Sequence, residues 1–398
     1  MASSLFFFLS LVASVLAAGQ VTFVSPTAHL SFALTVPTDN NKNGNNTDLY
    51  FGISMPSSLS WGAVGLGNNK MQHTLVLIVY SSASGDNVTL SPRLSPKHGE
   101  PVYDPSVKFT TLEGTGINNG TLSYYGVCHN CRSWSGGSVD ITSTSQAAIF
   151  ANGPSGSITN DAGDAPIKYH AEYGAFIMDM TAAAGSAAAP VLGKLSNNTT
   201  LSGSKLDGDV KTGKSDTVAL IHAVLMIVTF FFLMPLGVLI LRVGQSVRWH
   251  GINQGLSLLG AVGGSVMGFT TSSSYVRSAS FSTGHQIIGI AIFAFVLVQF
   301  GLGYYHHKIY KRTQQTTKFA PIHVWLGRVI LPGAIVDAFL GFPLALDPKF
   351  DFILVALVVV LAPTFFVIMY TGSFYCHRQQ PGFKLDENPV RSYNMDRM

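Results

Sequence analysis

Four histidines in the second half of the chain have the residue type and spacing to hold metal cofactors inside a membrane. His222, His250, His285 and His323 each stand near the start of a separate apolar run of membrane-spanning length. A histidine inside a lipid bilayer is costly and usually serves a function. Two imidazoles that face each other across a helical bundle suit bis-histidine ligation of haem iron. The pattern predicts a bundle with buried metal cofactors and, as a first hypothesis, electron transfer across a membrane.

Five apolar runs in this half are each long enough to cross a bilayer as a helix. They lie at residues 217–241, 250–270, 284–305, 322–344 and 350–371. Most Lys and Arg residues of this half lie in the segments that follow the first, third and fifth runs, and the positive-inside rule places these segments in the cytosol. The sequence therefore predicts an all-α transmembrane bundle of five spans, with its amino terminus extracellular and its tail, 376–398, cytosolic.

This topology sorts the four histidines into two pairs. The first and third runs enter from outside, so His222 and His285 are expected near the outer face. The second and fourth enter from the cytosol, so His250 and His323 are expected near the inner face. Alternate helices of an up-and-down bundle are diagonal neighbours. Each pair can then meet across the bundle axis, which predicts two haems at two depths.

Other interpretations of polar residues in these runs remain open. Histidines near helix ends can be interfacial because their polar tips reach water there, and His306 and His307 are interpreted in this way. A zinc or di-iron centre is disfavoured because the runs lack Glu-x-x-His pairs. Arg328 is expected to pair with a haem propionate or an anionic cytosolic reductant, or to reach the inner interface. Asp337 is expected to have a proton-linked role or to hydrogen-bond between helices.

The composition supports a membrane protein. Of the 398 residues, 47% are hydrophobic and only 11% are charged, which is unusual for a soluble domain. The formal net charge of +4 reflects basic residues in short loops. Nucleic acid is not an expected partner because no basic patch contains interleaved aromatic residues.

The first half of the chain is polar, and the sequence predicts three parts within it. Residues 1–19 are predicted to be a secretory signal peptide, since small residues follow a short apolar run. Residues 20–184 contain short alternating segments broken by Gly, Asn, Pro and Ser, a pattern typical of an antiparallel β-sandwich. Residues 185–215 show no apolar periodicity and are predicted to form a flexible linker. Possible glycosylation acceptors agree with export: Asn45, Asn87, Asn119, Asn197 and Asn198.

Two cysteines in this exported half, Cys128 and Cys131, are separated by two residues. In an exported domain they are predicted to form a structural disulfide. A thioredoxin-like redox pair is the alternative, although no alternating strand–helix pattern surrounds it. Covalent haem attachment would need a histidine directly after the second cysteine, where Arg132 stands.

The four membrane histidines occur in the segments Ile221-His222-Ala223, Trp249-His250-Gly251, Gly284-His285-Gln286 and Ile322-His323-Val324-Trp325-Leu326-Gly327. On these segments, residues 217–375 resemble the cytochrome b561 family. The resemblance implies that the four histidines are axial ligands of two haems b, paired His222–His285 and His250–His323. It also implies a small cytosolic reductant similar to ascorbate. Many family members have a further helix before the histidine-bearing four, whereas here the fifth run follows them.

The polar half offers a second set of candidate ligands. Its distinctive features are the glycine loop that ends at Met71, the stretch Val88-Thr-Leu-Ser-Pro-Arg93, the Cys128-His-Asn-Cys131 pair with Trp134, and His170 before Gly-Ala-Phe. On these features, residues 20–184 resemble the cytochrome domain of cellobiose dehydrogenase, a haem-binding β-sandwich of the DOMON class. The resemblance implies that Met71 and His170 hold a third haem b. His73, two residues from Met71 and predicted to share its strand face, is an alternative ligand.

The two resemblances together imply a membrane-embedded, haem-dependent oxidoreductase. Electrons are expected to pass from the cytosolic reductant through two bis-histidine haems to the Met/His haem outside. That haem would then reduce an extracellular acceptor, such as a ferric chelate or a secreted redox enzyme. The alternative is a membrane-anchored sensor whose sandwich binds a sugar or haem without onward electron transfer.

Overall fold

A computed structural model of the chain describes residues 19–38, 47–97, 99–196, 201–213 and 216–378, with side chains described as far as residue 372. The predicted signal peptide up to residue 18 and the predicted tail beyond residue 378 lie outside the described residues. So do three of the predicted glycosylation acceptors: Asn45, Asn197 and Asn198. The contacts divide the chain into two units, Met1–Ser215 and Asp216–Met398, each described by itself.

The described part of the first unit consists of β-strands and connecting turns. The strands are β1 (Val21–Val24), β2 (Ser31–Pro37), β3 (Leu49–Pro56), β4 (Gly62–Leu66), β5 (Thr74–Ser81), β6 (Val88–Ser95), β7 (Val102–Tyr103), β8 (Lys108–Thr111), β9 (Gly116–Asn118), β10 (Thr121–His129), β11 (Ser133–Trp134), β12 (Gly137–Ser138), β13 (Gln146–Asn152), β14 (Glu172–Met178), β15 (Ala184–Gly185) and β16 (Ser204–Thr212).

These strands form two seven-stranded sheets and a small hairpin, β11–β12. The first sheet has the order β1-β2-β3-β10-β8, with β15 beside β2 and β9 beside β10. The second sheet has the order β16-β14-β13-β4-β5-β6-β7. The pairing is antiparallel except that β15 runs parallel to β2. The predicted β-sandwich is confirmed, and the structure joins Cys128 to Cys131 by a disulfide.

Aromatic side chains fill the space between the two sheets. The rings of Phe23 from the first sheet and Phe176 from the second stack with their centroids 4.0 Å apart. Phe150 lies 5.1 Å from Phe23 between ring centroids, and all three side chains are at most 1% exposed. Aromatic rings contribute large apolar areas to a core. This layer therefore packs the second sheet firmly against the first and leaves the other face of the second sheet outside the aromatic core.

One prediction for this half is wrong in part. The sequence predicts a flexible linker over 185–215, but the structure forms β16 within it, paired with β14 at the edge of the second sheet. The strand is largely exposed and rich in charged residues. Charges on an edge strand prevent pairing with other chains, and they also remove the apolar alternation by which a strand is recognised in a sequence.

The second unit is helical. Its elements are α1 (Thr217–Ile227), a π-helical segment (Val228–Leu233), α2 (Met234–Arg242), α3 (Val247–Ser272), α4 (Gly284–Thr313), α5 (Phe319–Leu344), a 3₁₀ turn (Pro348–Phe350) and α6 (Asp351–Arg378). The first three of these are continuous and form one long helix. Side chains define several starts: Asp216 caps α1, Ser246 caps α3, and Thr283 with Gln286 forms a capping box at α4.

Four of the described helical segments are long and apolar enough to cross a membrane: Thr217–Arg242, Gly284–Thr313, Phe319–Leu344 and Pro348–Gly372. The fifth long helix, α3, has 26 residues, but Gly and Ser lower its hydropathy. Its buried face consists of Ser257, Ala261, Gly264 and Ser265. Small residues allow close packing of membrane helices. The chain is thus a multi-pass membrane protein with four apolar spans and a fifth helix of matching length.

The aromatic layer of the sandwich gives a direct stability test. Phe176→Ala should destabilise the sandwich by about 3–5 kcal/mol, because it removes a fully buried ring and leaves a cavity. Scanning calorimetry of the full chain should show the sandwich transition lowered by roughly 6–20 °C. Phe109→Ala is the matched control, since Phe109 is 38% exposed. An equal shift in both variants would contradict this account of the core.

Candidate functional site

Each of the four predicted membrane ligands donates a hydrogen bond from Nδ1 to a backbone carbonyl of a neighbouring helical segment. The acceptors are Gly264 O for His222 at 2.7 Å, Gly237 O for His250 at 2.7 Å, Asp337 O for His285 at 3.1 Å and Gln299 O for His323 at 3.0 Å. A carbonyl oxygen can only accept, so the proton is on Nδ1 in every case. Nε2 is therefore the nitrogen with a lone pair, as a metal-ligating histidine requires.

These hydrogen bonds are reciprocal within two pairs of helices. His222 on α1 bonds to α3, and His250 on α3 bonds back to α2, which continues α1. In the same way, His285 on α4 bonds to α5, and His323 on α5 bonds back to α4. Each antiparallel pair of helices is thus joined by two hydrogen bonds, one at each of two depths in the bundle. Each depth contains one histidine from the first helix pair and one from the second.

A common spacing underlies this arrangement. Fourteen residues separate the histidine from the acceptor residue on α3, α4 and α5, as from His250 to Gly264. In the first span the separation from His222 to Gly237 is fifteen, and the π-helical segment lies between them. A π turn accommodates one extra residue without breaking the helix. Fourteen residues correspond to about 21 Å of helix rise, which sets the separation of the two histidine levels.

His222 and His285 lie together at the level that the sequence predicts to face outward, which we call the outer level; the level of His250 and His323 is called the inner level. Their ring centroids lie 5.9 Å apart and the ring planes are nearly perpendicular. Two imidazoles bound on opposite sides of one metal ion would have ring centres about 6 Å apart, from metal–nitrogen bonds of about 2 Å. At the inner level, His250 lies within electrostatic range of His323. The donor set and the Nδ1 bonds therefore fit two bis-histidine haem sites.

Glycines make room for three of the four imidazoles. A Cβ atom at Gly268, Gly303 or Gly341 would lie 2.9, 2.8 or 3.1 Å from the rings of His222, His323 and His285, respectively. Each of these glycines lies one turn after the carbonyl that accepts the histidine Nδ1–H. The fourth site differs, because Leu241 stands one turn after Gly237.

The residues around the imidazoles follow a complementary size pattern. In the first helix pair the acceptor residues are glycines, and larger side chains from the histidine helix pack on them: Met226 on Gly264 and Gln254 on Gly237. In the second pair the acceptor residues are Asp337 and Gln299, and glycines face them: Gly289 and Gly327. The outer level therefore has a thioether and a carboxylate beside its histidines, and the inner level has two neutral amides.

The sandwich places Met71 and His170 at opposite ends of β4. The Met71 carbonyl accepts a hydrogen bond from Thr74 at the start of β5, where β5 pairs with Leu66. The residue after His170 donates to Asn152 O, and Asn152 pairs with Gly62 at the other end of β4. The two paired positions, Gly62 and Leu66, are four residues apart, which corresponds to about 13 Å along β4. Both side chains are half-buried.

Between these ends, the outer face of the second sheet is apolar and incompletely covered. On β13, Ala148 and Phe150 point into the core and are buried, whereas Ala147, Ile149 and Ala151 alternate with them and are half-buried. Ala175 and Ile177 continue this face on β14. Cofactor pockets are mostly apolar with a few polar groups that fix orientation. The apolar character of this face suits the haem that the resemblance implies, with Met71 and His170 as its predicted ligands.

An extended segment, residues 160–168, covers the neighbouring strands and leads directly to His170; we call it the arm. Five buried or part-buried side chains of the second sheet and its rim donate to arm carbonyls: Thr89 to Asn160, Tyr80 to Ala162, Ser91 to Gly163, Arg93 to Ala165 and Trp61 to Lys168. Arg93 is 2% exposed and also pairs with Glu100, at 3.5 Å. Burial lowers the pKa of Arg93, and the Glu100 carboxylate opposes this effect.

The remaining candidates occupy less enclosed positions. His73 is exposed in the turn before β5 with a φ of 65°, and its carbonyl accepts from Trp134 Nε1 at 3.2 Å. It does not share a strand face with Met71, because both precede β5. Arg328 lies over the Trp325 ring at 4.7 Å, and His306 Nδ1 contacts Thr317 Oγ1 at 2.8 Å. Sequence reasoning missed the four acceptor carbonyls, Met226, Gln254 and the arm.

Comparisons with known proteins agree with this division. Residues 17–188 match the family model for the cytochrome domain of cellobiose dehydrogenase, and residues 221–346 match that for eukaryotic cytochrome b561. Both families bind haem b. The two resemblances predicted from the sequence are confirmed. Helix α6 and strand β16 lie outside the two matched ranges.

Among solved structures, the chain is similar to the cytochrome b domain of pyranose dehydrogenase from Coprinopsis cinerea, at 18% identity over 43% of this chain and 91% of the other, with a TM-score of 0.38. It is also similar to the cytochrome domain of Myriococcum thermophilum cellobiose dehydrogenase, at 16% identity over 37% of this chain and 69% of the other, with a TM-score of 0.29. A comparison with curated protein sequences finds no significant match.

The glycine contacts predict which backbone positions the cofactors depend on. Gly303→Val should displace the His323 ring and remove the inner haem, because even a Cβ there lies 2.8 Å from the imidazole. Gly301→Val is the matched control on the same helix, since nothing lies within 4 Å of a Cβ at Gly301. Haem per chain, measured by the pyridine haemochrome assay, should fall by one in the first variant only. Full haem content in Gly303→Val would refute the assigned position.

The arm predicts a second dependence. Arg93→Met removes the guanidinium from the buried Glu100 carboxylate and from the arm, which should cost about 3–5 kcal/mol. The sandwich should lose most of its haem, because the arm leads to His170. Adding Glu100→Gln should restore part of the stability. Lys97→Met, at an exposed position beyond β6, should have little effect on thermal midpoint or haem content; an equal loss there would argue against the arm.

Proposed function

We propose that this chain, whose halves match the cellobiose dehydrogenase cytochrome domain and eukaryotic cytochrome b561, transfers electrons from a small cytosolic reductant to an extracellular acceptor. The route runs through two bis-histidine haems b, His250–His323 and then His222–His285, to a third haem b held by Met71 and His170. The observation that carries the proposal is the four Nδ1–carbonyl hydrogen bonds, which leave Nε2 available at two levels of one bundle.

The protein residues have defined roles in this proposal. When bound, the haems supply iron that alternates between two oxidation states. The carbonyls of Gly237, Gly264, Gln299 and Asp337 hold the histidine rings in one tautomer and one orientation. The glycines let neighbouring helices approach the imidazoles, and the apolar surroundings exclude water. Preorganised ligands of this kind reduce the rearrangement that accompanies a change of oxidation state.

We infer that α3 is a fifth span. It contributes His250, and it bonds to the first span through His250, near its start, and through Gly264, about two turns before its end. Its 26 residues would cover about 39 Å, more than the hydrocarbon core of a bilayer. Its Gly- and Ser-rich composition reflects packing against another helix.

The orientation follows from charge and aromatic residues. The helix ends and connections at the His250 and His323 end contain Arg242, Arg248, Lys308, Lys311, Arg312 and Lys318. Trp249, Trp325, Tyr304 and Tyr305 lie at the same end, each at least 58% exposed. Basic loops favour the cytosol, and exposed Trp and Tyr residues favour the membrane interface. This orientation places the sandwich outside the cell, consistent with an exported domain that has a disulfide.

The direction of transfer follows from ligand chemistry. A thioether ligand raises haem potential relative to two histidines, other things being equal. Electrons would then pass downhill from the bis-histidine haems to the Met/His haem. A ferric chelate or a secreted redox enzyme fits as the acceptor, which makes the chain a transmembrane oxidoreductase. Arg328, at the inner end, is positioned to attract an anionic reductant such as ascorbate.

Reconstitution of the full, haem-loaded chain in liposomes tests the proposal. With ascorbate enclosed and ascorbate oxidase outside, molecules with the tail inside should reduce an external ferric chelate. The spectrum should show three b-type haems reduced per chain. His250→Ala should abolish the reaction. If the membrane haems become reduced while the sandwich haem stays oxidised, the chain is a sensor rather than an electron carrier.

The sandwich ligands give a separate expectation. Met71→Ala should reduce haem content from three to two per chain or lower the potential of the sandwich haem, because the thioether is lost. His170→Ala should also remove this haem. His73→Ala is the control, and it should leave the haem spectrum unchanged. Loss of haem in His73→Ala with retention in Met71→Ala would reassign the ligand to His73.

A further inference from the structure

The four residues whose carbonyls orient the histidines occupy equivalent positions but differ in their side chains. Two are glycines, Gly237 and Gly264; the third is Gln299 and the fourth is Asp337. Only Asp337 brings a charged group to a histidine. Because the backbone interaction is the same at all four places, the carboxylate is a specific addition to the outer level.

The Asp337 carboxylate is directed at the ligand itself. Its Oδ1 lies 3.1 Å from His285 Nδ1, the same distance as the Asp337 backbone oxygen, which accepts the Nδ1–H hydrogen bond; Oδ1 interacts with the ring through its charge. The two side chains are 13% and 20% exposed, respectively. On the other side, a Cβ atom at Gly289 would lie 3.1 Å from Asp337 Oδ2. Gly289 therefore stands one turn after His285, at the place where a larger residue would crowd the Asp337 carboxylate.

The inner level shows the neutral version of the same arrangement. Gln299 occupies the equivalent position, and Gly327, one turn after His323, makes the corresponding space. The Gln299 amide nitrogen lies 3.5 Å from His323 Nε2, and Gln254 packs on Gly237 at the same level. An amide carries no net charge. The two haem levels therefore differ in charge by one carboxylate, which lies adjacent to a proposed axial ligand.

We propose that Asp337 is a positioning residue that lowers the reduction potential of the outer haem relative to the inner haem, by interacting with Nδ1–H of His285. This inference rests on the proposed function in that His285 ligates haem iron. A negative charge beside the Nδ1–H of a metal-bound imidazole favours positive charge on the ring, so the ring becomes a stronger donor to the metal. A more basic ligand stabilises ferric over ferrous iron, and a nearby negative charge disfavours the added electron.

The proposed difference has a consequence for the electron route. With haem bound, one electron would pass from the inner to the outer level with no bond formed or broken; Asp337 would make this step uphill, and the downhill step to the Met/His haem would drive it. With Asp337 present, the outer haem is the stronger reductant of the two. It is thus poised to reduce the Met/His haem, while the inner haem is the one more readily reduced by the cytosolic donor.

Potentiometric titration of the purified, haem-loaded full chain tests the inference. In Asp337→Asn, which keeps the backbone acceptor and the side-chain size, one bis-histidine haem should become easier to reduce by at least tenfold, about 59 mV for one electron. The other should be unchanged. Gln299→Asp adds a carboxylate at the equivalent inner position and should shift the other haem in the opposite direction.

Two further variants separate electrostatic tuning from a structural role. Asp347→Asn, which removes an outer carboxylate beside Lys349, should leave both potentials unchanged. Asp337→Glu keeps the charge and should retain most of the low potential. If Asp337→Asn leaves both potentials unchanged, or shifts both equally, the inference is wrong.

If Asp337→Asn fails to retain haem, Gln299→Asp decides: a lowered inner potential supports the inference, and no shift overturns it. These titrations need bound haem but no transport. A chain that shows the predicted shifts without electron transfer across liposomes would refute the proposed function and leave this inference standing.

Discussion

The hydrogen bond from histidine Nδ1 to a helix carbonyl is the interaction on which the membrane unit depends. It fixes the tautomer, so that Nε2 has the lone pair that metal ligation requires, and it also joins one helix to its neighbour. A buried imidazole without such a partner would incur the cost of an unsatisfied polar group in lipid. Since a helix carbonyl has a second lone pair, it can accept this bond while still accepting from its own helix. Ligand orientation and helix packing are therefore a single requirement.

Several features of the bundle follow from this bond. The acceptor must lie about 21 Å along the helix from that helix's own histidine, which explains the fourteen-residue spacing in α3, α4 and α5. The first span has one residue more and absorbs it in the π-helical segment. The imidazole must also approach the neighbouring backbone, which explains Gly268, Gly303 and Gly341. These glycines lower hydropathy, so the requirement also accounts for a helix as polar as α3.

Much of this arrangement could be predicted from residue types, and the part that could not has a physical reason. His222, His250, His285 and His323 were assigned to two levels because loop charges fix topology. The acceptors were not predicted, because they act through the backbone, and Gly, Gln and Asp share no side-chain property. Strand β16 was missed because edge charges hide its alternation. The arm was missed because its bonds also end on carbonyls, at residues such as Ala162 and Ala165.

The two halves solve the ligand problem differently, and the difference bears on their roles. In the bundle, each proposed ligand lies on a helix that is tied to its antiparallel neighbour at two depths, so each ligand is fixed by the same contacts that hold the fold. In the sandwich, Met71 and His170 come from turns at opposite ends of β4, and His170 depends on the arm for its position. A site assembled from turns can change its ligand geometry without disturbing the core. In the proposed route, this freedom would suit a haem that meets an external partner, whereas rigid ligation would suit haems that pass electrons between fixed neighbours.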